Sequence, residues 1–261
     1  MNRTWVTLLT RPGFLPGVRA LAASLRDVGS RHRLLVMVPP DLDQDTRRAL
    51  EHSGCAVHEV ERLMPTDRPD YAAERFTEVW TKLQVFGLTE YERVVFLDAD
   101  MLLLRRMDEL FDPPLTPDTP LAAVPACQCN PNRVATYPDH WTTQNCPYNN
   151  PHPSYFNSGL LVLQPEATTL DALRTRMKDD DCATFAFADQ DLLNQHFAGR
   201  WRPLPYTYNA LKTLRQSHPD LWNIQDVHNI HYIQEKPWEA DPTQPGPYHD
   251  LYQKWWDIAE A

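Results

Sequence analysis

Glycine is scarce in this chain, with 8 residues in 261 against 24 prolines. P-loops and dinucleotide-binding fingerprints concentrate several glycines in one short turn so that phosphate can approach the backbone. The turn after the first expected strand, Arg11-Pro12-Gly13, holds one, which argues against both classes. The proline excess predicts long, stiffened loops instead. Basic residues are the next shortage: 25 Lys and Arg face 35 Asp and Glu, for a formal charge of −10. Such a field disfavours nucleic acid or an anionic membrane as partner, and a phosphorylated substrate would need a metal or a local cation to offset it. No apolar run approaches the span of a bilayer and no charged leader precedes one, so the expectation is a cytoplasmic protein with no membrane partner. Five cysteines, Cys55, Cys127, Cys129, Cys146 and Cys182, are an odd number at irregular spacing, which suits a reducing compartment better than a disulfide framework. Cys127-x-Cys129 has no second pair at zinc-finger spacing, so these thiols are read as unconnected.

What is present is an alternation of strands and helices. Apolar strands are expected at 5–10, 34–38, 55–60, 94–97, 122–124 and 155–163. Helices are expected from Val18 to Gly29, from about Asp41 with that residue as its cap, and across Phe76, Val79, Leu83 and Phe86. This order predicts an α/β fold with a mostly parallel sheet, and with no linker in sight residues 1–261 are read as one domain. Residues 127–154, rich in Asn, Pro and Tyr, form a long loop read as a lid or acceptor-side wall. A terminal helix rich in aromatics includes Tyr252, Trp255 and Trp256.

Chemistry concentrates at the end of the strand at 94–97. Val94-Val95-Phe96-Leu97 is continuous, β-branched and aromatic, which predicts burial on both faces, and it stops at Asp98-Ala99-Asp100. Carboxylates at the carboxyl end of a buried strand sit where open α/β sheets bind ligands and can hold a hard divalent ion. A turn with a helix cap explains the same pair. Three further stretches carry polar groups next to apolar runs. Asn157-Ser158-Gly159 precedes a strand. Asp189-Gln190 opens a helix, with Asp189 placed as its cap. His228 and His231 are three apart on a strand, so they face opposite ways and only one enters the cleft. Lys82, on an amphipathic helix, reads by itself as a solvated charge.

Taken in order, Val6-Thr7, Thr81-Lys82-Leu83, Phe96-Leu97-Asp98-Ala99-Asp100, Phe156-Asn157-Ser158-Gly159, Asp189-Gln190 and His231 with Lys236-Pro237-Trp238 resemble glycosyltransferase family 8, which includes glycogenin and galactinol synthase. Phe187-Ala188-Asp189-Gln190-Asp191-Leu192-Leu193-Asn194, His218-Pro219-Asp220 and Lys254-Trp255-Trp256-Asp257-Ile258 resemble the galactinol synthase branch. The resemblance implies a single-domain GT-A (Rossmann-like) fold, a UDP-sugar donor, a small polyol or sugar acceptor, Mn²⁺ with Mg²⁺ as a substitute, retention of anomeric configuration, and a homodimer as one quaternary option. Carried over by residue, Asp98, Asp100 and His231 bind the metal, and Asp189, Gln190 and Lys236 form the catalytic set. Asn157, Asp189 and Gln190 hold sugar hydroxyls, Lys82 faces the donor sugar and Lys236 the diphosphate. Leu8, Thr10 and Phe14 receive uridine, and Ala99, Ser158 and Trp238 complete the substrate contacts. Two departures stand out: Gln234 replaces a glycine frequent in the phosphate turn, and Ala186 stands where glycogenin has an acidic residue. Transfer to a glycan, of the glycogenin or glucuronosyl kind, is the alternative activity, and a catalytically silent sugar-nucleotide-binding protein is the alternative class. By composition, Asn145, Tyr148, Asn149 and Asn150 are candidates for binding a polyol.

Overall fold

A computed structural model describes residues 2–65, 78–112, 114–149, 153–179 and 182–260. Seven strands form one sheet in the order β3-β2-β1-β4-β7-β6-β8, where β1 is Arg3–Leu8, β2 Leu34–Val38, β3 Ala56–Glu59, β4 Arg93–Leu97, β6 Leu121–Pro125, β7 Phe156–Leu163 and β8 Trp201–Pro203. All run the same way except β7, which lies antiparallel between β4 and β6. A smaller sheet is ordered β5-β10-β9, with β5 at Met101–Leu103, β9 at Ala210–Leu211 and β10 at Asn229–His231.

Strand β4 is the buried element that its sequence implies. Val95 and Leu97 face one apolar cluster with Trp5, Val36 and Leu21 from helix α1 (Leu15–Asp27). Val94 and Phe96 face the other, with Met37, Leu83 and residues of α3 (Ala167–Asp179) and α4 (Asp189–His196). Side chains alternate across a strand, so a strand with apolar residues at every position needs cover on both sides. The terminal helix α6 (His249–Ala259) buries Leu251, Tyr252, Trp255 and Trp256 against α1 and the small sheet. Among the described residues no helix is long and apolar enough to cross a membrane.

Several local expectations need correction. The helix expected from Asp41 is α2 (Gln44–His52), and its cap is Asp43, whose carboxylate accepts the Thr46 N–H at 2.8 Å. Asp41 pairs with Arg62 instead. The helix carrying Lys82 is a 3₁₀ helix, Val79–Gly87, because apolar residues three and four apart satisfy either winding. Phe76 lies outside the described residues. Lys82 is buried rather than solvated. Asp189 is the first residue of α4 and caps nothing; the position before it is Ala188 at φ +46°, a left-handed conformation rare for a non-glycine residue.

Candidate active site

Because β7 runs antiparallel beside β4, with Leu97 opposite Leu160, the residues that precede the pairing on β7 lie next to those that follow it on β4. Asn157-Ser158-Gly159 is thereby placed against Asp98-Ala99-Asp100, and the Asp98 N–H donates to the Gly159 carbonyl at 2.8 Å. The chain then leaves the large sheet and enters β5 of the small one. Antiparallel pairing sets Met101 opposite His231, and the Tyr232 N–H donates to the Asp100 carbonyl at 2.9 Å. Two sheet registers thus bring one imidazole and two carboxylates together.

The His231 Nε2 atom is 3.1 Å from Asp100 Oδ1 and 3.7 Å from Asp98 Oδ2. One ligand atom from each of the three lies within 4.8 Å of the others. On the far side of the ring, Nδ1 is 2.8 Å from Asn209 Oδ1. An amide oxygen only accepts, so Nδ1 carries a proton and Nε2 is the nitrogen turned toward the carboxylates. This is how metal-binding histidines are oriented, and the O, O, N set suits a divalent cation. His228, facing away, lies against Glu109 and Tyr208.

Each carboxylate already has an ammonium partner. Lys236 Nζ donates to Asp100 Oδ2, while Lys82 Nζ sits 2.9 Å from Asp98 Oδ1 and 3.3 Å from Asp189 Oδ2. Burial would raise the Asp100 pKa, but Lys236 and His231 hold it well below the ordinary carboxylate range. Burial would lower Lys82, yet Asp189 and Asp98 hold it above its usual value. Asp189 is pushed up, first by burial and then, against the pull of Lys82, by Asp98. Two acids share one ammonium, so the lysine keeps its proton and the more buried acid ionises less readily. Asp189 also accepts from Ser158 Oγ at 2.9 Å.

A single hydrogen-bonded chain runs from the imidazole to α4. Asn209 Nδ2 donates to Asn157 Oδ1 at 2.8 Å, Asn157 Nδ2 to Gln190 Oε1 at 3.0 Å, and Gln190 Nε2 to Tyr155 Oη at 3.1 Å. Tyr155 in turn donates to Asp191. Asn209, Tyr155 and Asp191 were not among the residues expected from the sequence. Asn209 follows a 3₁₀ turn with no periodic neighbours, and only the parallel pairing of β9 with β10 puts it behind His231.

One cavity gathers the expected residues. Leu8, Thr10, Phe14, Lys82, Asp98, Ala99, Asp100, Asn157, Ser158, Asp189, Gln190, His231 and Lys236 all line it. Trp238 stands behind its wall, ring edge to Phe14 at 5.6 Å. The long loop supplies Pro131, Val134, Thr136, Tyr137 and Trp141, and Trp141 stacks on Phe187 with centroids 4.4 Å apart. Of the four candidate polyol binders, the three within the described residues do not line it. Asn145 and Asn149 face solvent and bond to His140 and Thr143, Tyr148 bonds to the Pro125 carbonyl, and Asn150 lies outside the described residues. Gln234 takes a left-handed backbone, φ +66°, a conformation that glycine adopts without strain. Its side chain accepts from Asn132 and donates to Tyr137.

The fold is that of GT-A glycosyltransferases. The galactosyltransferase LgtC, solved in complex with donor and acceptor sugar analogs, superposes with a TM-score of 0.70 over 98% of this chain and 95% of that one, at 16% identity. GlyE of Streptococcus pneumoniae TIGR4 does so at 0.67 and 16% identity, over 99% of this chain and 63% of its own. In sequence, galactinol synthase 6 of Arabidopsis thaliana is 32% identical over 283 residues, spanning 100% of this chain and 81% of that protein. Galactinol synthase 1 of Solanum lycopersicum is 32% identical over 269 residues, spanning 97% and 80%. Residues 6–241 match the description of glycosyl transferase family 8, and with relatives of this identity over its whole length the chain belongs to that family and is a glycosyltransferase.

Proposed function

We propose that the chain transfers galactose from UDP-galactose to a small polyol, myo-inositol being the first candidate, with retention of configuration and with Mn²⁺ at Asp98, Asp100 and His231. The observation that carries the donor half is the convergence of that triad with two buried lysines on one cavity, in a protein whose net charge would otherwise repel a diphosphate. A carboxylate and imidazole set favours Mn²⁺ over the oxygen-loving Mg²⁺ and Ca²⁺. Bound there, the ion supplies Lewis-acid stabilisation for a leaving diphosphate. Lys236 then has two anionic neighbours to choose between, Asp100 and the departing phosphate, and its ammonium offsets charge that grows as the bond breaks. Leu8, Thr10 and Phe14 line the same cavity, and on this reading they receive the uridine.

Asp189 is a poor nucleophile as it stands: buried, held by Lys82 and Ser158, and raised in pKa. The position of a second acid is Ala186, which lines the cavity without a carboxylate. We therefore favour a front-face path, in which the acceptor hydroxyl attacks from the side the diphosphate leaves and gives its proton to the leaving phosphate, over a covalent glycosyl-enzyme. The name shared by the relatives above supports a polyol acceptor. So does a lining that combines the aromatic Tyr137, Trp141 and Phe187 with polar Thr136, Thr213 and Gln234, since a cyclic polyol offers apolar C–H faces and a hydroxyl rim.

Release of UDP from UDP-galactose, measured with and without myo-inositol and with and without chelator, tests the reading. Strong stimulation by myo-inositol and loss of turnover in chelator are expected. Turnover unaffected by chelator refutes the metal assignment, and transfer only to long glucans refutes the acceptor.

A further inference from the structure

The thiols that look unconnected in the sequence are assembled by the fold. Cys127 and Cys129 follow β6, Cys146 comes from the far end of the long loop, and His218 lies just past the short helix α5 (Leu214–Ser217). All four are buried, with Cys146 fully so, and their ligand atoms lie within 4.8 Å of one another. The His218 Nε2 atom is 3.3 Å from the sulfurs of both Cys129 and Cys146, and the Cys146 and Cys127 sulfurs are 3.8 Å apart. None of the three is in a disulfide.

These separations are those of a tetrahedral metal shell. With Zn–S near 2.3 Å and Zn–N near 2.0–2.1 Å, neighbouring sulfurs stand about 3.7 Å apart and sulfur and nitrogen about 3.6 Å. We propose that Cys127, Cys129, Cys146 and His218 bind one zinc ion, in a closed Cys₃His site separate from the Asp98, Asp100 and His231 triad. Soft thiolates with one imidazole select zinc over the hard ions that a carboxylate site takes. Binding releases the thiol protons to solvent, leaving three thiolates and a dication. Four protein ligands leave no position open, which marks a structural rather than a catalytic centre.

The surroundings say what such an ion would do. The three cysteines pack with Leu211 and Leu214, and Tyr148 meets the His218 ring edge-on with centroids 5.5 Å apart. Cys127 and Cys129 also line the active-site cavity, as do Pro131, Val134, Tyr137 and Trp141 a few residues on. Residues 126–149 form no helix or strand. A loop of that length lacks the repeating hydrogen bonds that would hold it in one shape. A zinc joining both of its ends to the turn after α5 fixes the wall against which the acceptor sits, and it does so whatever the acceptor proves to be.

The metal content of the full-length protein, expressed in zinc-supplemented medium and purified without chelator, tests this by elemental mass spectrometry. About one zinc per chain is expected, retained in Asp100→Asn and lost in Cys146→Ser. Zinc retained in Cys146→Ser but lost in Asp100→Asn would place the ion at the carboxylates and overturn the proposal, as would folded wild-type protein that holds no zinc. Should Cys146→Ser fail to fold, cobalt exchanged into the wild type decides. Intense sulfur-to-cobalt charge transfer with tetrahedral ligand-field bands supports the site, and a spectrum without thiolate bands overturns it.

Discussion

A Cβ atom on Gly159 would lie 2.5 Å from Cε1 of His231 and 2.9 Å from Asp98 Oδ2. The glycine is therefore required by the neighbours on the other strands and not by its own backbone. Gly159→Ala should push the imidazole and the carboxylate apart while leaving the sheet intact. A drop in divalent-cation affinity of about 10–100-fold is expected, the range seen when groups that orient metal ligands are disturbed. Calorimetric Mn²⁺ titration beside far-ultraviolet circular dichroism checks it, and unchanged affinity in a folded variant counts against the steric account.

Asn209 touches no cation in this arrangement, yet it fixes which ring nitrogen of His231 is protonated. Asn209→Leu removes the acceptor for Nδ1–H and should again weaken the cation by about 10–100-fold. Asn209→Asp keeps an acceptor and should restore most of the affinity. That rescue distinguishes orientation of the ring from simple packing, because leucine and aspartate share the branched outline of asparagine and differ in whether they can accept from Nδ1–H.

Lys236 is the first charged partner of the buried Asp100. Lys236→Met, in chelator, should cost about 3 kcal/mol at neutral pH, since removing one member of a buried pair strands the other. Asp100 has a folded pKa below its unfolded value, so the stabilisation is present above about pH 3.9 and is lost as pH falls through the folded value. The gap between wild type and variant in urea unfolding should thus be wide at pH 7 and shrink progressively as the pH falls below about 4. A gap that grows on acidification would contradict the pairing.

At Gln234 the left-handed backbone carries a side chain, which costs on the order of 1–2 kcal/mol, and the side chain ties Asn132 and Tyr137 to the turn before Lys236. Gln234→Gly should relieve the strain and release the ties. No loss of melting temperature is expected, with KM for the acceptor raised several-fold and kcat little changed. If kcat falls and KM holds, the residue acts on the chemical step instead.

Much of this site is readable in the sequence because it lies at the ends of strongly patterned strands. A continuous apolar stretch such as 94–97 allows only a doubly covered strand, and the acids after it follow. What escapes is set by long-range pairing. Asn209 acquires its partner only through the β9 and β10 register, and the three cysteines meet His218 through a loop without periodicity. Asp189 shows the limit of local rules, since an acid at a helix start is normally a cap, yet here burial beside Lys82 overrides that preference. Asp41 and Asp43 show the same within two residues: either can begin the helix, and Arg62 draws one of them away.

The two carboxylates sit on the three residues, 98–100, by which the chain steps from β4 in the large sheet to β5 in the small one, while His231 ends a strand of the small sheet alone. A cation held by all three is also a rivet between the sheets, so the free energy of loading it is shared with docking of the C-terminal third. At a hundredfold excess over Kd that is about 2.7 kcal/mol. Amide protons of β5, β9 and β10 should exchange more slowly when the ion is present, whereas those of β2 and β3 should not respond. A starved cell would then hold this enzyme not merely idle but with its C-terminal third loosened, and proteases would find the unloaded form first.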